Sequence, residues 1–307
     1  MKTRFLLTVT GAGLGVLVAN DAHAAGFALD VQSARATGMA ASMTAMVDDS
    51  SAIFFNPAGM ARGPGLDAQV GITPIVASFS FTDPGGNKSN LPFRIVPPFN
   101  GYVSYGVTDD LTVGIGAFAP YGLVVQWDPD WEGRNIVTKT SLITYDINPS
   151  VAYRFGPVRL GAGFSIIRQT VELQRQIRFP GQEGSTQLGA GAWTVAANGG
   201  VQVDAIKKYL TVGAAYRSAF KSHFDGLAHF ENVPAAFQST VHDQSATTSL
   251  VNPDNLSIGV ATQPIDALII DADITWYLWS RFKSINIDFP NVCLLALEIE
   301  FVHMVLL

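Results

Sequence analysis

From Leu66 to Pro290 the chain is built of short segments in which apolar and small or polar residues alternate, each closed by Gly, Pro, Asn or Asp. Leu111, Val113, Ile115 and Ala117 fall on one face of such a segment, with Thr112, Gly114 and Gly116 on the other. Val158, Leu160, Ala162, Phe164 and Ile166 stand against Arg159, Gly161, Gly163 and Ser165. Leu210–Arg217 and Leu268–Trp276 behave alike. A period of two places successive side chains on opposite faces of a β-strand, so helical architectures are excluded for most of the chain. Helix signatures are scarce after residue 65.

Two closed arrangements accept many such strands: a secreted sandwich and a membrane barrel. Hydrophobic residues make up 48% of the 307, charged residues only 14%, and mean hydropathy is +0.25. No run of about 18 apolar residues follows the N-terminus, so this hydropathy is not that of membrane-spanning helices. A closed sheet crosses lipid without such a run, because every backbone N–H and C=O finds its partner on a neighbouring strand. Segments of roughly 10 residues with short turns such as Val107–Asp110 and Phe155–Pro157 and longer loops elsewhere point to an all-β, transmembrane antiparallel β-barrel. Tyr102, Tyr105, Tyr121, Trp127, Trp131, Tyr145, Tyr153, Trp276 and Trp279 fall near proposed strand ends, where interfacial aromatic belts form.

The ends of the chain differ from this rhythm. Residues 1–24 have Lys2 and Arg4, an apolar run from Phe5 to Ala19 and Ala22-His23-Ala24, the pattern of a cleaved secretory signal. Residues 25–63 are rich in Ala, Gly, Ser, Thr and Met with little alternation, which suits a segment enclosed as a plug within the strands of residues 64–290. A single cysteine, Cys293, excludes an intramolecular disulfide and a cysteine-built metal site. The net charge of −6, with no basic run, argues against nucleic acid as a partner. Catalytic motifs such as Gly-x-Ser-x-Gly, His-Glu-x-x-His and the phosphate-binding loop are absent, and the five histidines are scattered. No enzyme activity, cofactor or metal is expected.

Particular stretches then become specific. Ala25–Leu29, Ala34–Ala40 and Asp48–Met60, the last containing Phe54-Phe55-Asn56-Pro57-Ala58-Gly59, resemble the N-terminal hatch of the FadL family of outer-membrane hydrophobic-compound transporters, the long-chain fatty acid and aromatic-hydrocarbon channels. Gly116–Leu123, Tyr216–Ser218 running to Gly226, and Asp273–Ser280 also look like that family. The resemblance implies a monomeric barrel of 14 strands, plugged by the hatch, in the bacterial outer membrane amid its lipid and lipopolysaccharide. It further implies capture of a hydrophobic small molecule, fatty acid or aromatic hydrocarbon, and its sideways release through a gap at a kinked third strand.

Carried onto this chain, the kink falls at Ala119-Pro120-Tyr121-Gly122, where Pro120 removes a ladder donor and Gly122 has no side chain to close the wall. The competing reading is an ordinary strand end. Arg175 aligns with a basic residue that meets the ligand carboxylate in the family, against the alternative of a solvated or snorkelling arginine. Arg168 and Arg134 are further basic candidates. Phe54 and Phe55 are expected to pack against the inner wall or the ligand route, and Asn56, Pro57 and Gly59 to seat the hatch. Between Phe164 and Val171 the apolar residues change phase at Ile166-Ile167, which predicts a β-bulge.

Residues 291–307, NVCLLALEIEFVHMVLL, depart from the family's pattern, and the alternating segments number roughly nine against the even counts usual in such barrels. Two readings stay open: a truncated or frame-shifted form of a longer chain, or a smaller barrel closed by residues 292–304. Function divides the same way, between a channel for hydrophobic molecules and a non-transporting surface barrel or inactive fragment.

Overall fold

A computed structural model describes residues 26–206, 209–265, 267–282 and 286–289. The signal segment and residues 291–307 lie outside them. Residues 26–63 form only short elements: α1 (Ala34–Gly38), α2 (Ala52–Phe55) and a 3-10 turn (Pro57–Met60). Ser33 starts α1 because its hydroxyl accepts the Ala36 N–H at 3.0 Å. Asn56 ends α2 in extended backbone and caps the following turn, with Pro57 in the first position where a missing N–H costs nothing.

Thirteen strands then form one antiparallel sheet. They are β1 (Gly65–Ile72), β2 (Phe99–Gly106), β3 (Leu111–Phe118), β4 (Gly122–Gln126), β5 (Lys139–Phe155), β6 (Val158–Phe179), β7 (Gln182–Ile206), β8 (Leu210–Arg217), β9 (Phe220–Glu231), β10 (Gln244–Asn252), β11 (Asn255–Ile265), β12 (Leu268–Tyr277) and β13 (Ile287–Asp288). Four pairs are halves of one interrupted pass: β3 and β4 both lie on β5, β8 and β9 on β7, while β10 and β11 continue each other, as do β12 and β13. Nine passes result among the described residues, in line with the alternating segments.

The sheet is curled round the N-terminal segment, since strands from both of its ends reach the same few residues. Asp67 on β1 accepts a hydrogen bond from the Ser50 hydroxyl at 2.7 Å. Asp273 on β12 accepts from the Met43 and Thr44 N–H groups at 2.7 Å each. Only a wall that turns through most of a circle brings β1 and β12 to one plug of this length.

The expected bulge in β6 does not occur. Its register against β7 runs without a shift from Val158 opposite Val203 to Phe179 opposite Gln182. What changes is the chemistry of the two faces. Phe164 and Ile166 point outward and are half exposed, while Gly161, Gly163 and Ser165 point inward. Ile167 is 1% exposed and, past the buried Gln169, the inner face continues apolar through Val171 and Leu173. On the outside, Glu172 now bonds Lys139 at 2.5 Å, Gln174 at 2.8 Å and Gln187 at 3.1 Å. Side chains keep alternating, but near Ile166-Ile167 the outer face of the strand turns from apolar to polar and its inner face from polar to largely apolar.

Not all the aromatics form belts. Tyr105, Tyr145, Tyr153 and Trp276 are exposed on the outer surface, whereas Tyr102 and Tyr121 are buried inside and hydrogen-bond the carbonyls of Gln32 and Pro253. Trp279 packs edge-on against Phe27 at 5.0 Å. Strand position alone does not tell an inward from an outward aromatic near a break in the alternation.

Candidate functional site

The stretch Phe54–Gly59 is locked to the wall by atoms that leave no spare room. Asn56 is fully buried; its Nδ2 donates to the carbonyls of Thr44 at 2.7 Å and Val201 at 3.1 Å, and its Oδ1 accepts the Ala58 N–H at 3.2 Å. A Cβ on Gly59 would sit 2.2 Å from the Val47 carbonyl oxygen. The wall is cut away to match: a Cβ on Gly200 would lie 2.0 Å from the Asn56 Oδ1, and one on Gly161 2.2 Å from the Pro57 carbonyl carbon.

Phe54 stacks edge-on against Phe55 at 4.8 Å and against Phe118 of β3 at 5.2 Å. Above both lies Arg217, a residue that the alternating pattern gives no reason to single out. Its guanidinium carbon is 5.0 Å from the Phe54 ring centre and 5.4 Å from that of Phe118, and its Nη2 donates to the Phe54 carbonyl at 3.1 Å. Its counter-charge is Asp146 at 3.6 Å, and both side chains are almost wholly enclosed. An arginine held between two rings and a buried carboxylate ties β3, β5 and β8 to α2. The acidic turn before α2 is tied as well. Burial pushes the Asp49 carboxyl up, but hydrogen bonds from Ser51, Gln69 and Arg35 outweigh this and hold it below its ordinary value.

Pro120 and Gly122 sit in the break between β3 and β4. Ala119-Pro120-Tyr121 faces two residues of β5, Thr144 and Tyr145, so one residue is extra on this side. Beyond the break β4 pairs with β5 alone. Its other edge is met by the N-terminal segment: Leu29 N–H donates to the Pro120 carbonyl at 2.9 Å, Gly122 N–H to the Phe27 carbonyl at 2.9 Å, and Gln32 Nε2 to the Ala119 carbonyl at 2.7 Å. Three chain residues, Phe27 to Leu29, thus stand where a strand would be, and Ala28 bridges Tyr121. A Cβ on Gly122 would come within 3.0 Å of Leu29 Cδ1.

Over the segment the lumen is apolar. Phe27, Leu123, Leu142, Val171, Leu173 and Leu250 line one cavity, and Leu173 and Leu188 continue it into a second that holds Arg175 together with Phe230 and Phe289. Arg175 shares the inward phase of Ile167 and Leu173, and its Nε is buried without a hydrogen-bond partner among the described residues. Arg168 points the other way, its guanidinium carbon 5.5 Å from the centre of the exposed Trp193 ring. Arg134 is engaged at the exposed rim, where Nε and Nη2 each donate to Glu183 at 3.0 Å. The structure therefore separates the three basic candidates, and of them only Arg175 reaches the lumen. Among the described residues no group of three or more His, Cys, Asp or Glu gathers as a metal site would.

A curled antiparallel sheet of this kind has known counterparts. The family described as outer membrane protein transport protein (OMPP1/FadL/TodX) matches residues 15–300. The chain belongs to this family. A 47 kDa outer membrane protein of Pasteurella multocida is 25% identical over 313 residues, covering 92% of this chain and 72% of that protein. Among solved structures, a Pseudomonas aeruginosa FadL homologue superposes with a TM-score of 0.71 at 19% identity, over 87% of this chain and 73% of the other. The Pseudomonas putida toluene transporter TodX gives 0.66 at 15% identity, over 90% and 77%. This FadL-family chain is accordingly an outer-membrane transport protein with a transmembrane β-barrel fold.

Proposed function

We propose that this family member passes long-chain fatty acids across the outer membrane by holding them in the apolar lumen and releasing them sideways at the β3/β4 break. The observation that carries the reading is the break itself, where a stretch of wall is closed by Phe27–Leu29 of the N-terminal segment instead of a strand. Hydrogen bonds to a movable segment can be exchanged without tearing the sheet, which a continuous ladder forbids in lipid. Residues 25–63 act as the hatch, seated by Asn56, Pro57 and Gly59, and Pro120 with Gly122 forms the exit. The barrel works as a monomer in lipid and lipopolysaccharide, with no energy source of its own.

Arg175 favours a carboxylate over a hydrocarbon as ligand. A guanidinium in an apolar cavity lacks the hydration it would have in water, and a fatty-acid carboxylate supplies a charge-assisted partner while the chain fills the space beside Leu173 and Leu188. Toluene offers no such group. Uptake of radiolabelled oleate and toluene by cells expressing the chain tests both levels. Oleate uptake above empty vector is expected, and Arg175→Ala should weaken oleate binding about 10-fold or more, the loss of a charge-assisted pair, while leaving toluene untouched. Equal binding by parent and variant removes the assignment to Arg175. Toluene uptake without oleate uptake moves the substrate to the aromatic hydrocarbons carried by TodX.

The exit has its own variant. Gly122→Val places a branched side chain against Leu29 without touching the β4–β5 ladder. Folding, read as heat-modifiable gel migration, should be intact and oleate uptake should fall about 10-fold, as expected when a gate controls the rate. Unchanged uptake rules out the break as the exit.

A further inference from the structure

The break has an outer mouth, and two rings stand across it. Phe99 opens β2 and Tyr145 lies on β5, strands that flank β3 and do not pair with each other. Their rings nevertheless stack, with centroids 6.1 Å apart and planes 24° from parallel. The registers bring them to one place. Asn100 is opposite Phe118 and Phe118 opposite Asp146, so one further residue, Ala119, belongs between Phe99 and Tyr145. Strands two places apart in a sheet are separated by roughly 10 Å. The two rings lean inward over the slot that the alanine leaves, and Ala119 is only 4% exposed although β3's alternation would turn it outward.

Beyond this stack no ladder joins β2 to β4, although β4 still pairs with β5 and the Thr73 N–H still donates to the Pro98 carbonyl. Pro97 and Pro98 precede Phe99, Pro120 follows Ala119, and none of the three carries a backbone donor. Both rings are on the outer surface, 41% and 42% exposed. This pair covers the spot where the β2–β3 ladder stops.

We propose that Phe99 and Tyr145 form an aromatic shutter over the outer mouth of the break, the last protein surface a hydrophobic molecule crosses before entering lipid, and that the shutter selects straight-chain over branched molecules. The inference rests on the lateral-release reading. A stacked pair held from two unpaired strands opens by rotation of either side chain, and exposed side chains change rotamer quickly. An unbranched chain slips between two such rings edgewise, whereas a chain bearing methyl branches needs both displaced.

The test uses the full chain expressed in cells without fatty-acid uptake of their own, with radiolabelled oleate and a methyl-branched fatty acid of similar length as probes. The readout is the ratio of branched to straight uptake, which does not depend on how much barrel is inserted. Tyr145→Ala and Phe99→Ala are each expected to raise this ratio about threefold or more, with Tyr145→Trp lowering it, as for any gate that is widened or narrowed. Tyr105→Ala, an outward tyrosine on the same β2 strand away from the break, should leave it unchanged. Should an alanine variant fail to insert, Tyr145→Leu and Phe99→Leu replace it and carry the same expectation. A ratio equal to the parent's in the Phe99 and Tyr145 variants overturns the shutter while oleate uptake by the parent keeps the transport reading. An equal rise in Tyr105→Ala also overturns it, by showing a general loosening. No uptake by the parent removes lateral release and the shutter together.

Discussion

A Gly59→Val variant is expected to let bulky antibiotics, which the intact outer membrane excludes, into cells expressing this chain. The Cβ would start 2.2 Å from the Val47 carbonyl and 2.9 Å from Val47 Cγ1, with backbone on one side and a buried side chain on the other. Neither can retreat: Val47 N–H is bonded to the Met43 carbonyl, its carbonyl accepts from Gln202, and Asn56 holds the turn at three points. Overpacking a rigid site costs about 1–3 kcal/mol. A branched residue at this distance belongs at the upper end, enough to shift hatch occupancy about 10-fold or more. Inhibitory concentrations should fall accordingly, while Gly38→Ala, whose Cβ meets nothing within 4 Å, serves as the control. A folded Gly59→Val barrel that stayed tight would show that Phe54–Gly59 does not seal the lumen.

The second large effect is expected at Arg217. Replacing it with methionine keeps volume but strips Asp146 of its counter-charge in a site where the two side chains are 7% and 1% exposed. Removing one partner of a buried pair typically costs about 3–5 kcal/mol. The loss of the contacts over Phe54 and Phe118 adds to it. Urea unfolding of the barrel in lipid vesicles should therefore show a marked fall in stability for Arg217→Met. Adding Asp146→Leu should return most of it, because no charge is then stranded. A single variant as stable as the parent would mean that the packing of Phe54 on Phe118, and not the guanidinium, organises this junction.

How far the sequence could be read follows from which physical rule governs each part. Period-two alternation is imposed on every strand by backbone geometry, so β3, β6, β8 and β12 are legible in Leu111–Ala117, Val158–Ile166, Leu210–Arg217 and Leu268–Trp276. The change of apolar phase at Ile166-Ile167 has a cause other than a bulge. Alternation reports which face is apolar, and that face is the outer one only while lipid is outside. Arg217 lies inside the family-like stretch Tyr216–Ser218 but is not marked there as a site, because its value lies in what meets it from elsewhere, Asp146 and Phe118 at long sequence distance. A lone arginine at the end of an alternating segment gives no hint of them. Phe27–Leu29 likewise has no strand pattern of its own, since three residues paired to a broken edge are too few to show a period. The Asn56-Pro57 start of the turn was legible, because cap and proline each answer a local demand, whereas Gly59 is required by the approach of the Val47 carbonyl. What that turn is pressed against, Gly161 and Gly200, could not be read from it.

The inversion along β6 has a consequence for how substitutions anywhere in this barrel should be judged. Leucine in place of an outward residue is harmless at the height of Phe164, where hydrocarbon surrounds it, and exposes a sticky spot to water at the height of Glu172. Inward, the signs exchange: a polar side chain near Ser165 joins the bonded set of Asn148, Ser150 and Asn198, whereas at Leu173 it would wet the chamber meant for oil. One strand thus carries two opposite solubility codes end to end. On the proposed route a hydrophobic cargo would meet the inner, apolar one first, an oil phase that the protein carries within its own wall.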